Sequence, residues 1–196
     1  VPVDSLWLHR MTGPLLRPGR FAAVQGGIRE LPSREDIFYW HSCGPRFYFT
    51  SESSSWIASH GGIGFSTVNA ALRREAWEAL PFGWAPILED KKWQAAALES
   101  GLEILDLPEA AVFHSHTYDL VTLWRRAASE GFGWRLVGVE YPPGKMMRDL
   151  FHRQTLKYWF VGVIRGELDS GAERRFPWVR PLALYWGNRW SRDVAL

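Results

Sequence analysis

The sequence predicts an α/β fold built on a mixed sheet, and three observations carry that expectation. Short apolar runs of strand character alternate with stretches of helical periodicity. Glycine and proline clusters punctuate the chain between them. The composition, 46% apolar and 22% charged over 196 residues, is that of a globular protein able to bury a core.

The elements follow in order. Asp4 can cap a helix in which Trp7, Leu8, Met11 and Leu15 share one face, and Pro18-Gly19 ends it. Residues 21–28 (FAAVQGGI) read as a strand running into glycines. The polar, aromatic, turn-rich stretch from Arg29 to Ser55 reads as a long loop of the kind that drapes over a site. Gly61 to Gly64 lead into residues 65–72 (FSTVNAAL) and a short helix over 73–80, closed by Pro81. Pro86 precedes a second helix with Glu89 and Asp90 in its first turn and Gly101 as its stop. Two short strands are expected over 102–107 and 111–113, the second ending in His114-Ser115-His116. Asp119 can cap a helix with Leu120, Leu123, Trp124, Ala127 and Ala128 on one side, stopped by Gly131 and Gly133. From Pro142 onward the chain reads as two amphipathic helices broken around Asp169 to Pro177. The one candidate boundary, at Tyr141 to Gly144, divides an α/β part (1–141) from a C-terminal helical appendage (142–196).

Composition narrows the function classes. The single cysteine, Cys43, excludes an internal disulfide framework and a multi-cysteine zinc site, and it fits a cytoplasmic setting. The longest apolar run near the end, Tyr158 to Ile164, falls far short of the roughly 20 residues a bilayer span needs. The sequence opens at Val1 with neither a charged leader nor a signal-peptide core, and reads as a fragment, a processed product or the ordered part of something longer. Net charge is +2 but uneven: from Lys145 onward 10 Lys/Arg stand against 5 Asp/Glu. A basic tail in a chain with 12 Trp suits peripheral contact with the inner face of a membrane, and equally a solvated basic face on ordinary helices. Nucleic acid is not an expected partner, because the arginine pairs are scattered among acids and no recognition motif accompanies them.

Two places carry chemistry. Glu89-Asp90 follows a proline-containing loop at a helix N-terminus, where free N–H groups and the helix dipole favour an ionised carboxylate able to act as a general base. The competing reading is that both acids only complement the dipole. His114 and His116 end a buried strand, spaced so that both can point to one side. A binuclear hydrolase would need Asp-His directly afterwards, where Thr117, Tyr118 and Asp119 stand. An amidohydrolase barrel would need about 250 residues. The histidines are then either partial ligands of a metal held mostly by other groups, or a structural pair.

Taken together, Asn69, Arg73-Arg74, Trp77, Pro81-Phe82, Glu89-Asp90, Trp93, Gly101 and the strand from Pro108 through His116 form an ordered pattern. It resembles the bacterial family-2 glycosyltransferases, especially their rhamnosyltransferase-like branch, over about the first 135 residues. The resemblance implies the acceptor-side part of a GT-A-like mixed sheet flanked by helices, with the N-terminal nucleotide-binding half missing, since no Asp-x-Asp motif occurs in the chain. It implies an inverting transfer from a nucleotide-sugar donor to a glycan or lipid-linked saccharide acceptor, in polysaccharide biosynthesis. Asp90 would be the catalytic base and Glu89 its neighbour in the site. Asn69, Trp93, Arg73 and His116 would contact substrate, and His114 would contact a divalent metal, Mn²⁺ or Mg²⁺. Lys91-Lys92 departs from the family pattern; these lysines either help hold diphosphate or are exposed. Two other function classes stay open: a non-catalytic carbohydrate-binding module using the tryptophans, and a metal-dependent hydrolase on His114, His116 and an acid such as Asp119.

Overall fold

The computed structural model describes residues 1–29, 51–85, 87–114, 118–166, 168 and 171–190; of residues 51–53, 154 and 158 only the backbone is described. Pro86, His116 and most of the expected 29–55 loop lie outside those residues. The chain divides into two compact units, one of Val1–Leu31 and Trp56–His114, the other of Pro32–Ser55 and Ser115–Leu196.

The first unit is mixed α/β, with a three-stranded sheet in the order β2-β1-β3. β1 (Phe21–Arg29) pairs antiparallel with β2 (Ala70–Leu72) and parallel with β3 (Glu103–Phe113). The two strands expected over 102–107 and 111–113 are thus one. The interruption between them is a bulge: Gly26 pairs with Leu107 and Ile28 with Val112, so two steps along β1 match five along β3. Pro108 sits in the bulge, where a strand tolerates a residue without an N–H.

Apolar residues alternate across the sheet and make two cores. On one side Ala22, Ala23 and Ile104 pack with Phe65, Ala76, Trp93 and Ala97. The small alanines let α4 (Glu89–Glu99) approach closely enough for Phe65 to be wholly buried, a contribution of about 2–3 kcal/mol. α3 (Arg74–Ala79) supplies Ala76 to the same core. On the other side Val24 and Ala110 meet Met11 of α1 (Trp7–Thr12), which continues as a 3₁₀ turn over Gly13–Leu15. Asp4 does not cap α1 as expected: Leu6 is the N-cap and makes no side-chain capping bond, while the Asp4 carboxylate accepts from the Leu6 N–H at 2.8 Å and pairs with Arg10 at 2.6 Å. The loop expectation fails at its end, residues 51–55, which open α2 (Ser51–Ser59).

The second unit is helical: α5 (Leu120–Leu136), α6 (Pro143–Leu150), α7 (Arg153–Ile164) and α8 (Gly171–Trp190). Among the described residues the C-terminal stretch therefore holds three helices, not two. Pro177 and Pro181 lie inside α8 without ending it. Each removes a backbone hydrogen bond, yet both are buried together with Phe176, Ala183 and Leu184, and tertiary packing carries the helix through. Gly131 and Gly133 likewise do not stop α5. A Cβ on Gly131 would stand 2.1 Å from the Leu184 carbonyl oxygen, and one on Gly187 only 1.8 Å from that of Ala128. Ala127 and Gly131 on one helix, and Ala183 and Gly187 on the other, form small faces four residues apart that let the backbones touch. Asn188 seals the contact, donating to the Gly131 and Val139 carbonyls at 2.9 Å each and accepting from the Tyr141 N–H at 2.9 Å. A buried ion pair, Glu130–Arg180 at 2.9 Å, joins the same two helices.

Two predictions follow from this packing and capping. Gly131→Ala and Gly187→Ala each destabilise the chain by about 3 kcal/mol through forced separation of α5 and α8. Gly144→Ala, at a helical position with open space around it, is neutral or stabilising by up to about 1 kcal/mol. Urea unfolding of the three variants checks the contrast. At the start of α5, Asp119 accepts from the Thr122 N–H at 2.7 Å and from its hydroxyl at 2.8 Å, and these bonds hold its carboxyl below the usual 3.8. A lowered carboxyl stabilises fully above its unfolded value and loses that contribution as pH falls through its folded value. Asp119→Ala therefore lowers the melting temperature at neutral pH, Asp119→Asn largely restores it, and the Ala deficit narrows in acid, as thermal melts followed by circular dichroism will read.

Candidate functional site

The inward stripe of α4 is Asp90, Lys91, Trp93, Gln94 and Ala97, a helical face in which three of five members are polar. Their partner is the segment between α2 and β2, irregular over 63–66 and closing in the 3₁₀ turn Thr67–Asn69. Gln94 accepts from the Phe65 N–H at 3.1 Å and donates to the His60 and Ile63 carbonyls. Lys91 reaches the Phe65 carbonyl through its ammonium. From β1, Gln25 accepts from the Ser66 N–H at 2.6 Å and donates to the Asn69 carbonyl at 3.1 Å. Side chains thus satisfy backbone groups that no strand or helix reaches.

Glu89 and Asp90 occupy the first turn of α4, as expected. The residue before them, Leu88, is left-handed at φ 57° and ψ 31°, a conformation that costs a bulky residue about 1–2 kcal/mol. Asp90 is buried. One carboxylate oxygen accepts from the Lys91 N–H at 2.7 Å, and the other stands 3.4 Å from the Lys91 ammonium. Lys91 is neither exposed nor oriented like a solvent-facing phosphate ligand, since its side chain is only 8% exposed. It fixes the Asp90 carboxylate in one orientation while holding Phe65. Glu89 is half-buried.

Three residues predicted to contact substrate make hydrogen bonds within the scaffold. Asn69 donates to the Gly27 and Ala110 carbonyls at 2.7 and 2.8 Å and accepts from the Trp7 indole N–H at 3.0 Å. It fits because Gly26 lacks a side chain; a Cβ there would lie 2.2 Å from the Asn69 amide nitrogen. Trp93 is 2% exposed, donates to the Leu80 carbonyl at 2.7 Å and packs on Phe65 with ring centroids 5.0 Å apart. Arg73 donates to the carbonyls of Phe21 and Arg17, at 3.2 and 2.9 Å, tying the start of β1 to the end of β2.

His114 lies at the end of β3, half-buried, and its N–H donates to the Arg29 carbonyl at 3.0 Å. The structure brings Asp90 together with Lys91, while Lys91 and Gln25 bond the backbone of the 63–69 segment, and it sets His114 at the strand end. Among the described residues, no three His, Cys, Asp or Glu side chains gather as a metal site. On the same side as α4, a largely apolar pocket of about 200 Å³ is lined by Phe21, Ile63, Leu98 and Ile104 and holds none of the predicted site residues. On β3, Asp106 has its carboxyl raised above the ordinary value by partial desolvation and, secondarily, by Glu109.

Comparison with protein-family models, with curated proteins and with solved structures returns no match for this chain.

Gln25 and Gln94 are polar residues that the sequence pattern did not single out, and it gave Lys91 no part in the core. Their signal was present: Lys91 and Gln94 recur with Trp93 and Ala97 at helical spacing, on the side that must face the sheet. Two substitutions test the cluster. Asn69→Ala strands two buried carbonyls and an indole N–H, and lowers stability by about 3 kcal/mol. Lys91→Met leaves Asp90 without its cation and Phe65 without its donor, and lowers stability by about 2–3 kcal/mol. Denaturant titration measures both, and an unchanged midpoint in either would show that these bonds contribute nothing net.

Proposed function

We propose that the chain is the acceptor-side, base-carrying part of an inverting glycosyltransferase of the family-2, GT-A-like kind. The observation that carries this reading is the Glu89-Asp90 pair opening α4 behind a strained, left-handed Leu88, within a segment from Asn69 to His114 whose residue order resembles that family. Backbone strain held in place by surrounding structure concentrates at functional sites. In this reading Asp90 takes the proton from an acceptor hydroxyl, the oxygen attacks the anomeric carbon of a nucleotide-activated sugar, and the nucleotide leaves as its diphosphate. The Lys91 N–H and ammonium keep the carboxylate aimed, and Glu89, half-buried beside it, meets the acceptor. The donor is a nucleotide sugar and the acceptor a glycan or lipid-linked saccharide. A divalent cation, Mn²⁺ or Mg²⁺, belongs to the same reading, with His114 this chain's contribution to holding it.

A second reading rests on Trp84 and Trp77, which are 88% and 45% exposed near the same helix N-terminus in sequence. Exposed indole faces suit stacking on sugar rings in a binding module without catalysis. One assay separates the two. Full-length gene product and its Asp90→Asn variant are incubated with a panel of sugar nucleotides and Mn²⁺, and released nucleotide is measured. Release from one donor, reduced at least 100-fold by the isosteric change, is expected for a lost general base. Equal release by both proteins removes Asp90 from the chemistry. Saccharide binding without nucleotide release, unaffected by the variant, favours the binding module.

A further inference from the structure

We propose that the helical second unit rests on the surface of an anionic lipid bilayer through the outward faces of α8 and α7, lying on the membrane without crossing it. On α8, Leu182, Trp186 and Trp190 follow one another at intervals of four and form one exposed apolar stripe. Trp186 and Trp190 are 50% and 59% exposed, with ring centroids 6.1 Å apart. Arg175 and Arg189 are exposed on the flank of that stripe. The opposite side of the helix, with Phe176, Ala183 and Gly187, is spent on α5. α7 repeats the arrangement: Arg153, Lys157, Phe160 and Ile164 fall on one exposed face, with Ile164 68% exposed.

Charge decides what covers these faces. The single acid within the two helices, Glu173, is buried, so their exposed residues combine large apolar groups with Arg and Lys and carry no negative charge. A helix face meant for water interleaves acids with its bases. Indole rings at an apolar–polar boundary, flanked by cations, match the headgroup region of an anionic leaflet, where the ring buries and each cation gains Coulombic attraction. Among the described residues no helix is long and apolar enough to span a membrane, which leaves the surface as the place of contact. This inference stands apart from the glycosyltransferase reading and does not need Asp90 to be a base.

The test is co-sedimentation of the full chain with vesicles of phosphatidylcholine alone and of an equimolar mixture with phosphatidylglycerol. Binding to the mixed vesicles, weak binding to phosphatidylcholine, and release by added salt are expected. The Arg175→Gln/Arg189→Gln double variant should bind roughly 20-fold more weakly, about fivefold for each cation removed. The Trp186→Ser/Trp190→Ser variant should lose binding while its helical circular dichroism is unchanged, because both residues are exposed. The proposal is overturned if the chain ignores both vesicle types, binds both equally, or binds normally with either double variant. It is also overturned if sedimentation velocity without lipid shows a dimer that the tryptophan variant dissociates, since a second copy would then cover the stripe. The comparison of vesicle types uses the unaltered chain and so decides the matter even if a variant fails to fold.

Discussion

The first unit depends on satisfying the backbone of one short irregular segment. Phe65 must be buried for the sheet and α4 to have a core between them, yet its own N–H and C=O go into that core with no strand or helix to receive them. An unpaired buried amide or carbonyl costs about 1–3 kcal/mol, enough to cancel the gain from burying the ring. Gln94 and Lys91 from α4 and Gln25 from β1 remove that penalty. The polar inner face of the helix is therefore a condition of the apolar core. Asp90 is held where it is by the same lysine, so the candidate base inherits its orientation from the packing of Phe65.

A common device recurs in the two units. Asn69 and Asn188 each place a carboxamide beside a glycine, donate to two carbonyls and accept one N–H. A primary amide offers two donors and an acceptor in a small plane, so it can bridge three chain segments where water is excluded. The glycines matter for the same reason in both places. Gly26 leaves room for the Asn69 side chain, and Gly131 lets the α8 backbone come close enough for Asn188 to reach across.

Much of the fold was legible because local signals agreed with packing. β1, the helix opened by Glu89-Asp90 and the Asp119 cap all stand where strand character, first-turn acids and capping chemistry put them. The misreadings share one cause. Gly131, Gly133 and Pro177 carry strong local signals for ending a helix, and packing overrode them. The β3 bulge was likewise read as a gap between strands, since Pro108 breaks the alternation while the ladder resumes beyond it. At the candidate site, the position of Glu89-Asp90 was legible and the duties of Asn69, Trp93 and Arg73 were not. Their types suit a ligand and a scaffold equally, and only their hydrogen-bond partners separate the two.

The pairing of α5 with α8 also governs when the second unit can form during synthesis. The bare face of α5 around Ala127 and Gly131 finds its complement in Ala183 to Asn188, more than fifty residues later in the chain. Until that late segment has left the ribosome, α5 presents the backbone around Gly131 without its complement, and Glu130, which pairs with Arg126 of its own helix, lacks Arg180. At about 5–20 residues per second, the interval is several seconds. The nascent helix is a substrate for chaperones or misassociation throughout that time, and a stop codon placed before residue 183 would leave it permanently in that state.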